Sequence, residues 1–158
     1  MSQPARDARM SSYEVVTALR MRRPFHPIFL PIPAACFVGA LLTDIAYWRT
    51  AEMMWTNFSA WLVSAGVVLG FLALIAGLID LIGRRFVGPP GAVWLYAVAN
   101  IVVLVLGTLN MFVHTRDAWT SVVPWGLALS AATVLILLAT GWIGWWMVYE
   151  RDVEVVEP

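Results

Sequence analysis

The sequence predicts an all-α integral membrane protein, a bundle of four transmembrane helices. Hydrophobic residues make up 61% of the 158 residues and charged residues only 13%, about half the charge of an average soluble domain. Four uninterrupted apolar runs each reach the ~20 residues that a helix needs to cross a bilayer. The chain also carries nine tryptophans, a residue type that is enriched where a membrane meets water.

The apolar runs are continuous rather than alternating, which favours helices over a membrane β-barrel. A lone helix also satisfies its own backbone hydrogen bonds in lipid, where no water is present to do so. The predicted spans are about 28–48, 58–82, 92–113 and 122–148. The chain thus divides into an N-terminal segment at 1–25, a four-helix membrane domain at 26–150 and an acidic tail at 151–158.

The arginines predict the orientation, since positive charge is retained on the cytoplasmic side. All ten cationic residues are arginine. One side of the predicted bundle carries Arg6, Arg9, Arg20, Arg22, Arg23, Arg84, Arg85 and Arg151, whereas the other carries Arg49 and Arg116. We therefore predict that both termini are cytoplasmic, and we place the protein in a bacterial inner membrane.

The segment before the first span has a helical pattern of its own. Ser11 and Glu14 have the spacing of a capping box, and apolar Val15, Val16 and Leu19 follow. This pattern predicts a short amphipathic helix that lies on the inner leaflet. The alternative is a basic tail without regular structure.

Ionisable residues within membrane spans are costly and are the first places to look for function. His26, Asp80, Arg84 and Tyr149 lie at the predicted cytoplasmic ends of three spans. A histidine beside a carboxylate can relay protons, bind a metal or hold a quinone headgroup. The alternative is a network that only fixes helix ends, with Asp80 paired to Arg84 four residues on.

A second polar group is predicted at the outer face. It consists of Asp44, Arg49, His114 and Arg116. Here Asp44 either pairs with an arginine as a structural lock or lines a polar site. Asn100 and Asn110 lie within the third span, where asparagine is expected to form hydrogen bonds between helices.

Several classes of function find no support in the sequence. No known catalytic motif is present, so we expect no enzyme activity and no catalytic residues. The one cysteine, Cys36, excludes an intrachain disulfide, and no CxxCH motif exists for a covalent haem. The two histidines, His26 and His114, are predicted at opposite membrane faces, too far apart to share one haem. We predict no metal site and no nucleic-acid partner, because the chain has no basic stripe with interleaved aromatics.

The polar residues also resemble the pattern of a known family. The sequence HPIFLPIPAACFVGALLTD in the first span, AGLID in the second and GWIGWWMVYE in the fourth are similar to the predicted membrane proteins called domain of unknown function 2231. The resemblance covers about residues 26–155. The positions that match the pattern are His26, Pro33, Asp44, Asp80, Asn100, Gly141, Gly144 and Tyr149.

This chain departs from the family pattern at three positions. Ala97 and Arg151 stand where the pattern has histidine, and Trp145 stands where it has glycine. A metal or haem site built on those histidines would retain only His26. The resemblance implies a link to membrane electron transfer, because such modules are sometimes joined to Rieske or cytochrome-type domains.

These observations predict a small non-catalytic accessory subunit of a larger membrane complex, respiratory or otherwise engaged in electron transfer. Its partners would be the lipid bilayer and other membrane subunits, and no cofactor is predicted. The alternatives are a protein that binds quinone or haem b for electron transfer, and a small transporter of solute or protons through Asp44 and Asp80.

Overall fold

The structure, a computed structural model, describes residues 24–83, 85–86, 89–115 and 122–154, with side chains to residue 147. These residues form helices and short connections, and no β-strand occurs among them. We number the helices α1 (His26–Phe29), α2 (Pro31–Thr50), α3 (Met53–Ile82), α4 (Pro90–His114) and α5 (Leu127–Glu154). A wide turn at Val122–Gly126, with extended backbone at Val123, leads into α5.

Four long apolar stretches of helix confirm the main expectation from the sequence. They are His26–Thr50, Met53–Ile82, Pro90–His114 and Val122–Met147, of 25, 30, 25 and 26 residues. At ~1.5 Å per residue each exceeds the ~30 Å hydrocarbon core of a bilayer. The second begins five residues before its predicted start at residue 58, because Thr56 and Asn57 interrupt the apolar run without breaking the helix.

Short connections make neighbouring helices antiparallel. Ala51 and Glu52 join α2 to α3, and Ala51 adopts a left-handed conformation (φ 55°) with its N–H donating to the Tyr47 carbonyl at 2.7 Å. Each long helix packs against the next in sequence, and α5 closes the ring against α2. The four helices therefore form an up-and-down bundle, and α1 packs on the C-terminal part of α3. The predicted amphipathic helix lies outside the described residues, and the orientation stays a prediction.

The bundle has polar side chains inside and apolar side chains outside. Asp44, Ser59 and Asp80 are fully buried, whereas Trp61 is 76% and Ile82 is 83% exposed. A surface of this kind would be unstable in water but suits a lipid solvent. The middle of the bundle is a small apolar core of Phe37, Ala40, Val63, Val67 and Val103.

Phe37 occupies the centre of this core because glycines face it from two other helices. A Cβ atom added at Gly107 would lie 2.8 Å from Cε1 of Phe37, and one added at Gly66 would lie 3.1 Å away. These distances are shorter than normal van der Waals contact. The aromatic ring therefore fills the space that side chains at the two glycine positions would need. The glycines thus let α3 and α4 approach the ring of α2 closely.

We expect Gly107→Ala to lower the free energy of unfolding by about 1–3 kcal/mol, because the added methyl group overpacks the core against Phe37. Gly141→Ala is the matched control, since a Cβ there meets nothing within 4 Å. Thermal unfolding of both variants in the same detergent measures the difference. Equal melting temperatures for the two variants would contradict this account of the core.

Candidate functional site

A buried carboxylate at one end of the bundle holds the start of the first span. Asp80 in α3 is fully buried, and its Oδ2 accepts hydrogen bonds from the backbone N–H of Phe25 at 2.6 Å and of His26 at 2.8 Å. The first N–H groups of a helix have no partner within the helix, and no side chain of α1 caps them. Asp80 therefore supplies this cap from another helix.

The same Oδ2 also binds the His26 side chain, with Nδ1 at 3.1 Å. A carboxylate oxygen in this position accepts, so Nδ1 carries the proton and Nε2 is the ring nitrogen available to a ligand. Aromatic rings flank the imidazole, with the Phe86 centroid at 4.6 Å and the Tyr96 centroid at 5.7 Å. His26 is thus fixed in position and tautomer. We call His26 and Asp80 the His26–Asp80 site.

An arginine that was not among the predicted members of this cluster also lies beside Asp80. Nη1 of Arg85 lies 3.5 Å from Oδ1 of Asp80, and the Arg85 guanidinium stacks 4.5 Å above the Phe25 ring. The helix ends at Ile82, and beyond Gly83 the N–H of Arg85 donates to the Asp80 carbonyl at 2.9 Å. This wider turn carries residue 85 back towards Asp80. Arg84 and the Tyr149 side chain lie outside the described residues.

A cavity of about 130 Å³ extends from His26 towards the centre of the bundle. Its walls are mostly apolar and come mainly from α2, α3 and α4, including Pro33, Phe37 and Leu104. Its polar groups come from His26, Tyr96 and Asn100. The Asn100 side chain donates to the Tyr96 carbonyl at 2.8 Å. Both residues belong to α4, so this hydrogen bond does not connect two helices. Ala97, where the family pattern has histidine, also lines the cavity.

The opposite end of the bundle contains a second buried carboxylate, Asp44. Its Oδ1 accepts from Ser59 Oγ at 2.5 Å and lies 2.9 Å from His114 Nε2, and its Oδ2 accepts from Ser130 Oγ at 2.5 Å. These three partners belong to α3, α4 and α5. One carboxylate on α2 therefore connects all four long helices.

Two further contacts fix His114 and Ser130. Nδ1 of His114 donates to the Asn110 carbonyl at 3.0 Å, and Asn110 Nδ2 donates to Ser130 Oγ at 2.8 Å. Asn110 therefore bridges α4 and α5, as expected of an asparagine within a span. A Cβ at Gly126 would lie 2.9 Å from Cε1 of His114, so glycine there lets the chain pack directly on the imidazole. We call Asp44, Ser59, Asn110, His114 and Ser130 the Asp44 network.

The outer group differs in membership from the prediction. The structure brings His114 to Asp44, but Arg49 is exposed. Five residues along a helix turn the side chain by roughly 140°, so Arg49 and Asp44 point to different faces. Arg116 lies outside the described residues. Ser59 and Ser130 were not predicted: a hydroxyl residue near the level of Asp44 in the second and fourth apolar runs is a candidate partner, but the sequence does not show which way it faces.

The two sites are far apart. The segment from His26 to Asp44 spans roughly 27 Å as helix, and the apolar core lies between them. His26 and His114 therefore cannot ligate one haem. Within the part of the chain that the structure describes, no group of three or more His, Cys, Asp or Glu side chains is placed to hold a metal ion.

Comparison with protein families gives one informative result. The profile of a family described as "Predicted membrane protein (DUF2231)" matches residues 22–157, nearly the whole chain. Comparisons with curated proteins and with solved structures give no match.

Proposed function

The chain belongs to the DUF2231 family of predicted membrane proteins, and we propose that it binds a quinone, with the ring in the cavity and the ring oxygen at Nε2 of His26. The observation that carries the proposal is a mostly apolar cavity that ends on a histidine oriented by a buried carboxylate. Such a ligand would connect the protein with membrane electron transfer.

The cavity has the right size and lining for one six-membered ring. Its volume of about 130 Å³ is close to that of the engineered ~150 Å³ apolar cavities that take up benzene. Apolar walls with a few polar groups at one end are typical of small-molecule sites. The amide of Asn100 adds a further polar group to the lining, about three turns along α4 from its start.

His26 also fits both redox forms of a quinone. When the ring is neutral, Nδ1–H donates to Asp80 and the Nε2 lone pair accepts a hydrogen bond from a quinol hydroxyl. When the ring is protonated, Nε2–H donates to a quinone carbonyl. In both forms the hydrogen bond from Nδ1–H to Asp80 orients the ring, in the way that a buried aspartate orients a catalytic histidine.

We expect His26→Gln to weaken binding of a decyl-substituted benzoquinone by about tenfold or more, since a hydrogen bond to an ionisable ring is lost. The backbone N–H of residue 26 still reaches Asp80 in this variant, so the start of α1 is retained. Binding is measured as quinone retained per protein in nanodiscs, after subtraction of protein-free nanodiscs.

His114→Gln is the matched control, because it makes the same change at the other end of the bundle. Both variants are compared with the unaltered protein below their melting temperatures. Equal losses of binding in both variants, or no binding by the unaltered protein, would rule out the His26–Asp80 site as a quinone site.

An accessory-subunit role is a second proposal, and the small size of the connections supports it. Two residues join α2 to α3, and seven residues join α3 to α4. These connections offer little surface for chemistry outside the membrane. Native mass analysis after extraction in a gentle detergent tests this role. A lone monomer without a co-purifying subunit would contradict it.

The orientation is part of the same proposal. With both termini cytoplasmic in a bacterial inner membrane, the His26–Asp80 site faces the cytoplasm and the Asp44 network faces outward. The uneven distribution of arginines supports this orientation. Labelling of an added terminal cysteine by a membrane-impermeant thiol reagent, in intact and opened cells, tests it.

A further inference from the structure

The residues that line the cavity are buried on one side of it and partly exposed on another. On the α2 side, Pro33 and Phe37 line it and are buried. On the side between α3 and α4, its lining includes Leu78, Trp94 and Ile101, whose side chains are 47%, 63% and 47% exposed on the outer surface of the bundle. Between α3 and α4, the same side chains therefore contact both the cavity and the surrounding lipid.

Small residues on α3 line the inner side of this cavity. Gly70, Ala73 and Gly77 all line the cavity and repeat at helical spacing along one face. A Cβ atom added at Gly77 would lie 3.9 Å from the Cβ atom of His26, which is an ordinary van der Waals distance. The cavity thus continues along α3 from His26 to the middle of the bundle, next to the exposed Leu78.

From this geometry we propose that the ligand enters sideways from the bilayer, between α3 and α4, and is a quinone with a long apolar tail that stays in the lipid. The inference rests on the proposed quinone site. A cavity for one ring leaves little room for a tail, whereas the gap beside Leu78, Trp94 and Ile101 leads to hydrocarbon. We call Leu78 and Ile101 the portal residues.

A long-tailed ligand is also favoured energetically. A tail that remains in hydrocarbon is not transferred to water on binding, so the ring can enter the site at little solvation cost. The exposed side chains beside the gap are aliphatic or aromatic, which matches an isoprenoid or alkyl tail. A polar, water-soluble ring compound would gain none of this contact.

The test compares two doubly substituted proteins. Leu78→Trp with Ile101→Trp narrows the gap between α3 and α4. Leu72→Trp with Val105→Trp adds the same bulk on the same two helices, at side chains 52% and 53% exposed that are not part of the cavity lining. All four positions face lipid, so the bundle should fold in both proteins.

Nanodiscs loaded with a decyl-substituted benzoquinone are mixed with an excess of empty nanodiscs, and the quinone remaining on the protein is followed over time. We expect the portal variant to release it about tenfold more slowly than the control variant. A benzoquinone with the same ring substituents and no decyl tail should be retained much more weakly by the unaltered protein.

The outcomes separate the two proposals. Equal release rates in the portal and control variants, or equal retention of the tailed and tail-less probes, would overturn sideways entry and leave the quinone site in place. Absence of binding of both probes to the unaltered protein would overturn the quinone site and, with it, this inference.

Discussion

Replacement of Asp44 by alanine is expected to lower the free energy of unfolding by about 3–5 kcal/mol, the range for removing one partner of a buried ion pair. The variant leaves the hydroxyls of Ser59 and Ser130 and Nε2 of His114 without their shared acceptor. All three are buried or partly buried in the bundle, and water does not reach them easily. Chemical or thermal unfolding in detergent measures the loss.

Four further proteins sharpen this test: Asp44→Asn, His114→Ala, the double variant Asp44→Ala with His114→Ala, and Asn57→Ala. Asp44→Asn keeps one acceptor oxygen, and rotation of the serine hydroxyls lets them adapt, so it should cost less than half as much as alanine. Asp44→Ala with His114→Ala should cost clearly less than the sum of the single changes, because the two side chains interact directly. Asn57→Ala on the exposed face of α3 is the control, and we expect a change within about 0.5 kcal/mol. Additive losses at residues 44 and 114 would refute the pairing.

Asp80→Ala is expected to abolish detectable quinone binding and to cost about 3 kcal/mol of stability, since a buried acceptor for several donors is lost. The change frees the backbone N–H groups of Phe25 and His26 and releases the imidazole from its fixed orientation. Amide hydrogen exchange at residues 25–30 should become faster, while exchange in the middle of α3 stays slow. Nanodisc retention of a decyl-substituted benzoquinone reports the loss of binding.

Glu52→Ala is the matched control for Asp80, because Glu52 is an exposed carboxylate at the opposite end of the same helix. Asp80→Asn retains one acceptor oxygen. Its quinone retention and its amide exchange at residues 25–30 should lie between those of Asp80→Ala and the unaltered protein. If exchange at residues 25–30 were unchanged in Asp80→Ala, the cap supplied from α3 to α1 would be disproved.

The sequence allowed the helices to be predicted because a bilayer sets a minimum length and excludes charge. It also pointed to Asp44 and Asp80, since carboxylates are rare in such runs. The partners were harder to predict. Arg85 lies near Asp80 because of the turn after Gly83, and no apolar pattern specifies that turn.

The cavity and the serine contacts could not be read from the sequence. Ser59 and Ser130 are small residues in long apolar runs, and only the relative rotation of the helices decides whether they face Asp44 or lipid. A cavity likewise depends on how Gly70, Ala73 and Gly77 are placed against two other helices. These contacts depend on how the helices pack against one another, whereas a hydrophobic pattern in the sequence describes one helix at a time.

The Asp44 network also has a consequence for how the protein is made. Spans enter a membrane in chain order, so α2 would bring Asp44 into the bilayer before its partners on α4 and α5 have been synthesised. An aspartate costs about 2.5–3.5 kcal/mol at the centre of an inserting helix on biological insertion scales, and less near the end, where Asp44 lies. Ser59 on α3 is the first partner to become available. Insertion of the first span thus depends on the long apolar stretch that precedes Asp44, and the bundle reaches its stable form only when Ser130 arrives with the last helix.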